Sequence, residues 1–240
     1  MHSGHLNSGL GKSLRLLLKL LPPDSVVVVF QGGLKGYKWI VGSGVHGYWL
    51  GSYEEEQQNL FIKLIKKGSV VYDIGAHVGF YTLLASKLVG DMGQVFSFEP
   101  LPRNVYYLKR HIQLNKRTNI RVFQAAVGDR SGALYFTEGN DSSTGHISEN
   151  GQIAVKAFSI DDLVLTQQIP YPGFIKIDTE GAELSVLRGG EYVLREFKPI
   201  IFLSTHGDKI KQECINHLQK NNYKINWVTR DFGIAAYNYQ

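Results

Sequence analysis

The chain has 240 residues, 43% of them apolar, a single cysteine and a formal net charge of +5. That length predicts one decorated domain, or two at most, with a large core. The lone Cys214 excludes an internal disulfide and a multi-cysteine zinc site; it fits a reducing compartment, and a cytoplasmic location is expected. The basic residues are scattered, with short clusters only at Lys66-Lys67 and Lys109-Arg110. The basic excess therefore reads as a solvated surface rather than a nucleic-acid groove.

Met1 to Leu21 carries Arg15 and Lys19 four apart among leucines, as on the polar edge of an amphipathic helix. The apolar run is too short and too interrupted to span a bilayer, and it lacks the long uncharged centre of a signal peptide. A helix packing on its own domain or on a partner is expected, with weak contact to a membrane surface as the alternative. Pro22-Pro23 ends that helix. Val26 to Phe30 and Tyr37 to Val41 read as strands around a glycine-bearing turn. Gly42 to Gly51 is glycine-rich, with His46, Tyr48 and Trp49. Residues 1–53 thus read as an N-terminal helix and a small β-rich cap, which either covers the substrate side of the main domain (54–240) or packs on it.

Glu54 to Lys67 reads as a helix stopped by Gly68. Val70 to Ile74 is a short apolar run suited to a strand buried on both faces. Gly75-Ala76-His77-Val78-Gly79 follows, and Phe80 to Val89 suits a helix. Strand, glycine loop and helix N-terminus together hold nucleotide-like ligands at the carboxyl end of a parallel strand. Asp73, a carboxylate at that strand end, favours a ligand carrying positive charge. The spacing Asp73-x-Gly75-x-x-x-Gly79 lacks the third glycine of the dinucleotide fingerprint. It looks like the first motif of class I S-adenosylmethionine-dependent methyltransferases.

Gln94 to Phe98 is the next strand, and Glu99-Pro100 follows it. A carboxylate there can accept hydrogen bonds from both ribose hydroxyls. Pro102 to Asn115 reads as a helix and Ile120 to Phe123 as a strand. Ala126 and Val127, small residues past that strand, leave room for a flat adenine. Asp129 reads either as an adenine partner or as part of a plain turn. Ala133 to Phe136 and Ile153 to Phe158 read as strands flanking Thr137 to Gly151, a polar stretch that is a substrate lid or an idle loop. Ser159 caps a short helix. Gly173 to Ile177 reads as the fourth core strand, followed by Asp178, Glu180 and Glu183. Glu183 to Leu194 reads as one helix. Pro199 to Ser204 is the fifth strand, ending at His206. Lys209 to Asn221 is a helix holding Cys214 in the core, and Tyr223 to Val228 pairs with Gly233 to Tyr237.

Taken together, Val71 to Tyr81, Phe98-Glu99-Pro100, Ala126 to Asp129 and Ile175 to Glu183 resemble the FkbM family of methyltransferases, over about Ser69 to His206. The resemblance implies an α/β, Rossmann-like class I methyltransferase fold with a mostly parallel central sheet. It also implies S-adenosylmethionine as methyl donor and a hydroxyl of a sugar, glycan or natural product as acceptor. On that reading Asp73 holds the amino group of the cofactor, and Gly75, Ala76 and Gly79 let the backbone approach it. Glu99, with Pro100 beside it, binds the ribose, and Ala126 and Val127 border the adenine. His77 and Tyr81 touch ligand or simply pack. The acceptor proton goes to His206, as neutral imidazole, or to Asp178. A third route is Mg²⁺ held by Asp178 and Glu180, with Glu183 more suited to capping its helix. An RNA methyltransferase and a non-catalytic ligand-binding protein of the same fold stand as alternatives, although nucleic acid is not an expected partner.

Overall fold

A computed structural model describes residues 21–137, 146–147 and 153–237. The helix expected over Met1 to Leu21 and most of the Thr137 to Gly151 stretch lie outside the described residues, Leu21 excepted. In chain order the elements are β1 (Val26–Val28), β2 (Lys38–Ile40), α1 (Gly47–Leu50), α2 (Glu55–Leu64), β3 (Val70–Ile74), α3 (Phe80–Val89), β4 (Gln94–Phe98), α4 (Pro102–Leu114) and β5 (Ile120–Phe123). There follow β6 (Ala126–Val127), β7 (Gly132–Thr137), β8 (His146–Ile147), β9 (Ile153–Phe158), α5 (Ile160–Leu165) and β10 (Phe174–Ile177). The chain closes with α6 (Glu183–Arg188), α7 (Glu191–Glu196), β11 (Ile200–Ser204), α8 (Asp208–Lys220), β12 (Tyr223–Trp227) and β13 (Phe232–Tyr237).

A seven-stranded sheet in the order β12-β13-β11-β10-β3-β4-β5 carries the fold. Its five strands from β11 to β5 run parallel, and β13 pairs antiparallel with both β11 and β12. The chain winds outward from β3 to β4 and β5, then returns through β10 on the other side of β3. That reversal opens a crevice at the carboxyl ends of β3 and β10, the place where such sheets bind ligands. A second, four-stranded sheet in the order β6-β9-β7-β8 is inserted between β5 and β10.

Two apolar layers flank the main sheet. Helix α3 is apolar nearly all round and lies under the N-terminal residues, with Leu83, Leu84 and Ala85 fully covered. On the opposite face Val186, Leu194 and Cys214 from α6, α7 and α8 pack against Ile175, Ile177 and Leu203. The expected single helix from Glu183 to Leu194 is two short helices. Gly189 and Gly190 separate them, and only glycine fits at 189, where a Cβ would lie 1.9 Å from the Gly128 carbonyl oxygen. Asp161 then caps the second piece, accepting the N–H groups of Tyr192 at 2.8 Å and Val193 at 3.0 Å.

Residues 21–53 share the core of the sheet domain. The β1–β2 pair is followed by a 3₁₀ turn (Val41–Ser43) and α1, so the glycine-rich stretch is helical rather than β-rich. Trp39 is fully buried and stacks on His111 with ring centroids 3.9 Å apart. His111 Nε2 accepts the Ile40 N–H at 3.1 Å, and its Nδ1 meets the Val78 carbonyl at 2.8 Å. One neutral tautomer serves both bonds, donating from Nδ1 and accepting at Nε2. Burial drives its pKa down to about 4, against a rise from the Val78 bond. The unfolded chain therefore binds a proton that the fold refuses between about pH 6.5 and pH 4. Stability is expected to fall across that window, by on the order of 3 kcal/mol from this group. Urea denaturation at pH 7 and pH 4.5 measures it, and His111→Phe should show a smaller difference between the two.

Candidate functional site

The organising feature is a row of polar side chains laid across the middle of the sheet. In register, Ser97 of β4 sits beside Asp73 of β3, and Asp73 sits beside Lys176 of β10. Side chains at matched positions on neighbouring strands share a face, so the three converge. Asp73 Oδ2 accepts the Thr82 hydroxyl at 2.6 Å, and Thr82 Oγ1 lies 2.9 Å from Ser97 Oγ. Lys176 Nζ stands 3.5 Å from Asp73 Oδ1 and 3.4 Å from Asp178 Oδ2. Its ammonium lies 5.2 Å from the centre of the Tyr81 ring. Burial alone would lower the lysine pKa, but Asp178 and Asp73 overcome that and hold it above the ordinary range. A lysine inside the otherwise apolar Phe174–Ile177 strand is the mark this group leaves in the sequence.

A cavity opens above this row. It is lined by Gly75, Ala76, His77 and Tyr81, by Glu99, Pro100, Ala126 and Val127, and by Lys176, Asp178 and Glu180. Asp73 and Gly79 are not in the lining: Asp73 lies beneath the wall, and Gly79 begins α3 with φ +96°. Gly75, at φ +78°, is required by its own chain, because a Cβ there would lie 1.8 Å from the Asp178 carbonyl oxygen.

Glu99 is 4% exposed, and both of its oxygens organise loops. Oε2 accepts the His77 N–H at 2.8 Å, while Oε1 accepts the Leu101 N–H at 3.0 Å and the Asn104 amide at 3.2 Å. Burial pushes its carboxyl up and these donors work against it. His77 adopts a left-handed backbone, φ +49°, which aims its N–H at Glu99. Its Nδ1 lies 3.2 Å from the Tyr48 hydroxyl. Tyr48 and Tyr53, from the N-terminal segment, complete the cavity wall. Tyr81 donates its hydroxyl to Glu54 at 2.8 Å.

His206 lines an adjoining cleft that shares Tyr53, Asp178 and Glu180 with the first cavity. Its Nδ1 is 2.8 Å from Glu183 Oε1, and its Nε2 is 3.4 Å from Glu180 Oε2 and 3.8 Å from Asp178 Oδ1. The Glu183 hydrogen bond raises the imidazole pKa; burial opposes it, the carboxylates reinforce it, and the result is about 9. The fold thus favours the protonated imidazole over the neutral form expected from the sequence. Burial would raise the Glu183 carboxyl, but His206 and the Gly181 N–H hold it below its usual range. Among the described residues no group of three or more His, Cys, Asp and Glu is arranged to hold a metal ion. The acids fit Mg²⁺ poorly, because the positive side chains of Lys176 and His206 already bridge Asp178, Glu180 and Glu183.

The strand order and the cavity at the switch point define a Rossmann-like class I methyltransferase fold. Solved structures agree on the fold. Methyltransferase FkbM from Methylobacillus flagellatus superposes with a TM-score of 0.52 at 18% identity, covering 81% of this chain and 56% of that one. Precorrin-6y C5,15-methyltransferase from Geobacter metallireducens gives 0.53 at 13% identity, covering 78% and 90%. The model of the FkbM methyltransferase domain matches residues 73–226, and the chain belongs to that family. Hexuronic acid methyltransferase AglP of Haloferax volcanii is 27% identical over 150 residues, which are 62% of this chain and 61% of AglP. No helix among the described residues is long and apolar enough to cross a membrane.

Proposed function

We propose that this protein transfers the methyl group of S-adenosylmethionine to a hydroxyl of a sugar or similar polyhydroxylated acceptor. The observation that carries the reading is the pairing of two cavities. The inner one has the buried Glu99 carboxylate at a strand end and apolar walls at Ala126 and Val127; the outer one meets it at Asp178 and holds His206. The family membership and the hexuronic acid named for AglP support the acceptor class. The inner cavity suits the cofactor in its chemistry: Glu99 for ribose hydroxyls, and the apolar Ala126 and Val127 for adenine. When bound, S-adenosylmethionine supplies an already activated methyl group, so much of the catalysis is positioning. Asp73 acts from outside the lining, tying α3 and β10 to its own strand through Thr82 and Lys176. On this reading the main domain begins near residue 54, and Tyr48 and Tyr53 of the preceding segment close the site.

Asp178 stands where the two cavities join and takes the acceptor proton. His206 stays protonated and keeps the surrounding carboxylates in place. Turnover is then expected to hold through neutral pH and to fall as His206 loses its proton near pH 9. Transfer of isotopically labelled methyl to a panel of glycosides, measured from pH 6 to pH 10, tests both parts. The product label should resist mild base, as an ether does and an ester does not. A rate that instead climbs through pH 9 would make His206 the base.

A further inference from the structure

The outer cleft carries a charge pattern opposite to that of the chain. The protein has a net charge of +5. The described residues lining the cleft include five acids (Glu54, Asp178, Glu180, Asp208 and Asp231) and two cationic groups, His206 and Arg230. Neither cation is uncommitted. His206 is held by Glu183, Glu180 and Asp178. Arg230 makes a forked contact to both oxygens of Asp208, at 3.2 and 3.0 Å, and lies 3.9 Å from Asp231. The cleft meets the cofactor cavity at Tyr53, Asp178 and Glu180. A group seated there is next to the point of transfer.

The geometry points to an acceptor saccharide without an anionic group, seated in this cleft with its hydroxyls on the carboxylates; this rests on the methyl-transfer reading above. A sugar hydroxyl donates to a carboxylate in a charge-assisted bond, and vicinal hydroxyls suit its two oxygens. A uronate would bring a further negative charge into a net negative cleft. Discrimination here is repulsive as well as attractive. The acceptor differs in this respect from the hexuronic acid named for AglP. The same charges disfavour a phosphate backbone, which needs uncommitted lysine or arginine.

The test uses the full chain saturated with S-adenosylhomocysteine. Matched pairs of methyl glycosides and methyl uronosides, in the gluco, galacto and manno configurations, are compared by saturation-transfer NMR titration. The neutral member is expected to bind about tenfold more tightly or better, with the gap narrowing as salt screens the acids. In Asp208→Asn/Asp231→Asn, which releases Arg230, the gap should shrink toward equality, with circular dichroism confirming that the fold is kept. The inference is overturned by a uronoside that binds as well as its neutral partner, by a gap unchanged in the double variant, or by no binding of any pair. Failure of S-adenosylhomocysteine itself to bind is a separate reading: it removes the cofactor assignment and this inference with it.

Discussion

Replacing Lys176 by methionine is expected to destabilise the fold by about 3–5 kcal/mol, because two carboxylates lose a shared buried cation. For a chain of this length that is a fall of roughly 6–20 °C in the unfolding midpoint. The ammonium stands 3.4 to 3.5 Å from both Asp178 and Asp73, and its side chain is 4% exposed. Asp73 keeps its bond from Thr82, so the local frame survives while the charge balance does not. Adding Asp73→Asn to the methionine variant should recover part of the loss, since one of the two stranded charges is removed. A double-mutant cycle by chemical denaturation measures that coupling. If Lys176→Met costs under about 1 kcal/mol, the lysine is not the counter-ion described here.

Gly75→Val is expected to be more damaging still. Its Cβ would sit 1.8 Å from the Asp178 carbonyl oxygen, and φ is +78°, where a β-branched residue is strained. Two central strands would have to part at the site itself. A loss above about 4 kcal/mol, or failure to accumulate as soluble protein, is the expected result. Gly36→Ala is the control: its φ is +88°, but nothing lies within 4 Å of the added Cβ. Only the conformational cost remains there, about 1 kcal/mol. Thermal unfolding of both variants separates backbone strain from steric overlap.

Much of the architecture was legible because strand burial and glycine punctuation leave local marks. Val70–Ile74, Gln94–Phe98 and Phe174–Ile177 are buried strands, and each is a short apolar run in the sequence. The cavity lining drew on the residues just past those strand ends, as topology requires. What escaped the sequence was whatever depends on partners far along the chain. The need for glycine at 189 follows from contact with Gly128, 61 positions earlier. Lys176 matters because it is in register with Asp73, which only the sheet order reveals. The approach of Gly75 to the Asp178 backbone likewise depends on the neighbouring strand and leaves no mark in the local motif. The raised pKa of His206 lies beyond the sequence for the same reason: it comes from Glu183, Glu180 and Asp178 gathered by folding. Tyr48 and Tyr53 carry no motif, and their place in the wall comes from the N-terminal segment packing over α3.

Calorimetric titration of S-adenosylhomocysteine, beside NAD, into the wild type and Glu99→Gln tests the central claim most directly. Glu99 is nearly isosteric with glutamine, and unfolding midpoints of the two proteins control for the loops it anchors. S-adenosylhomocysteine should bind the wild type and NAD should not. The variant should lose about 2 kcal/mol or more, roughly 30-fold in affinity, for want of a charged acceptor at the ribose. Binding of NAD alone, or equal affinity for S-adenosylhomocysteine in a folded Glu99→Gln, would contradict the account.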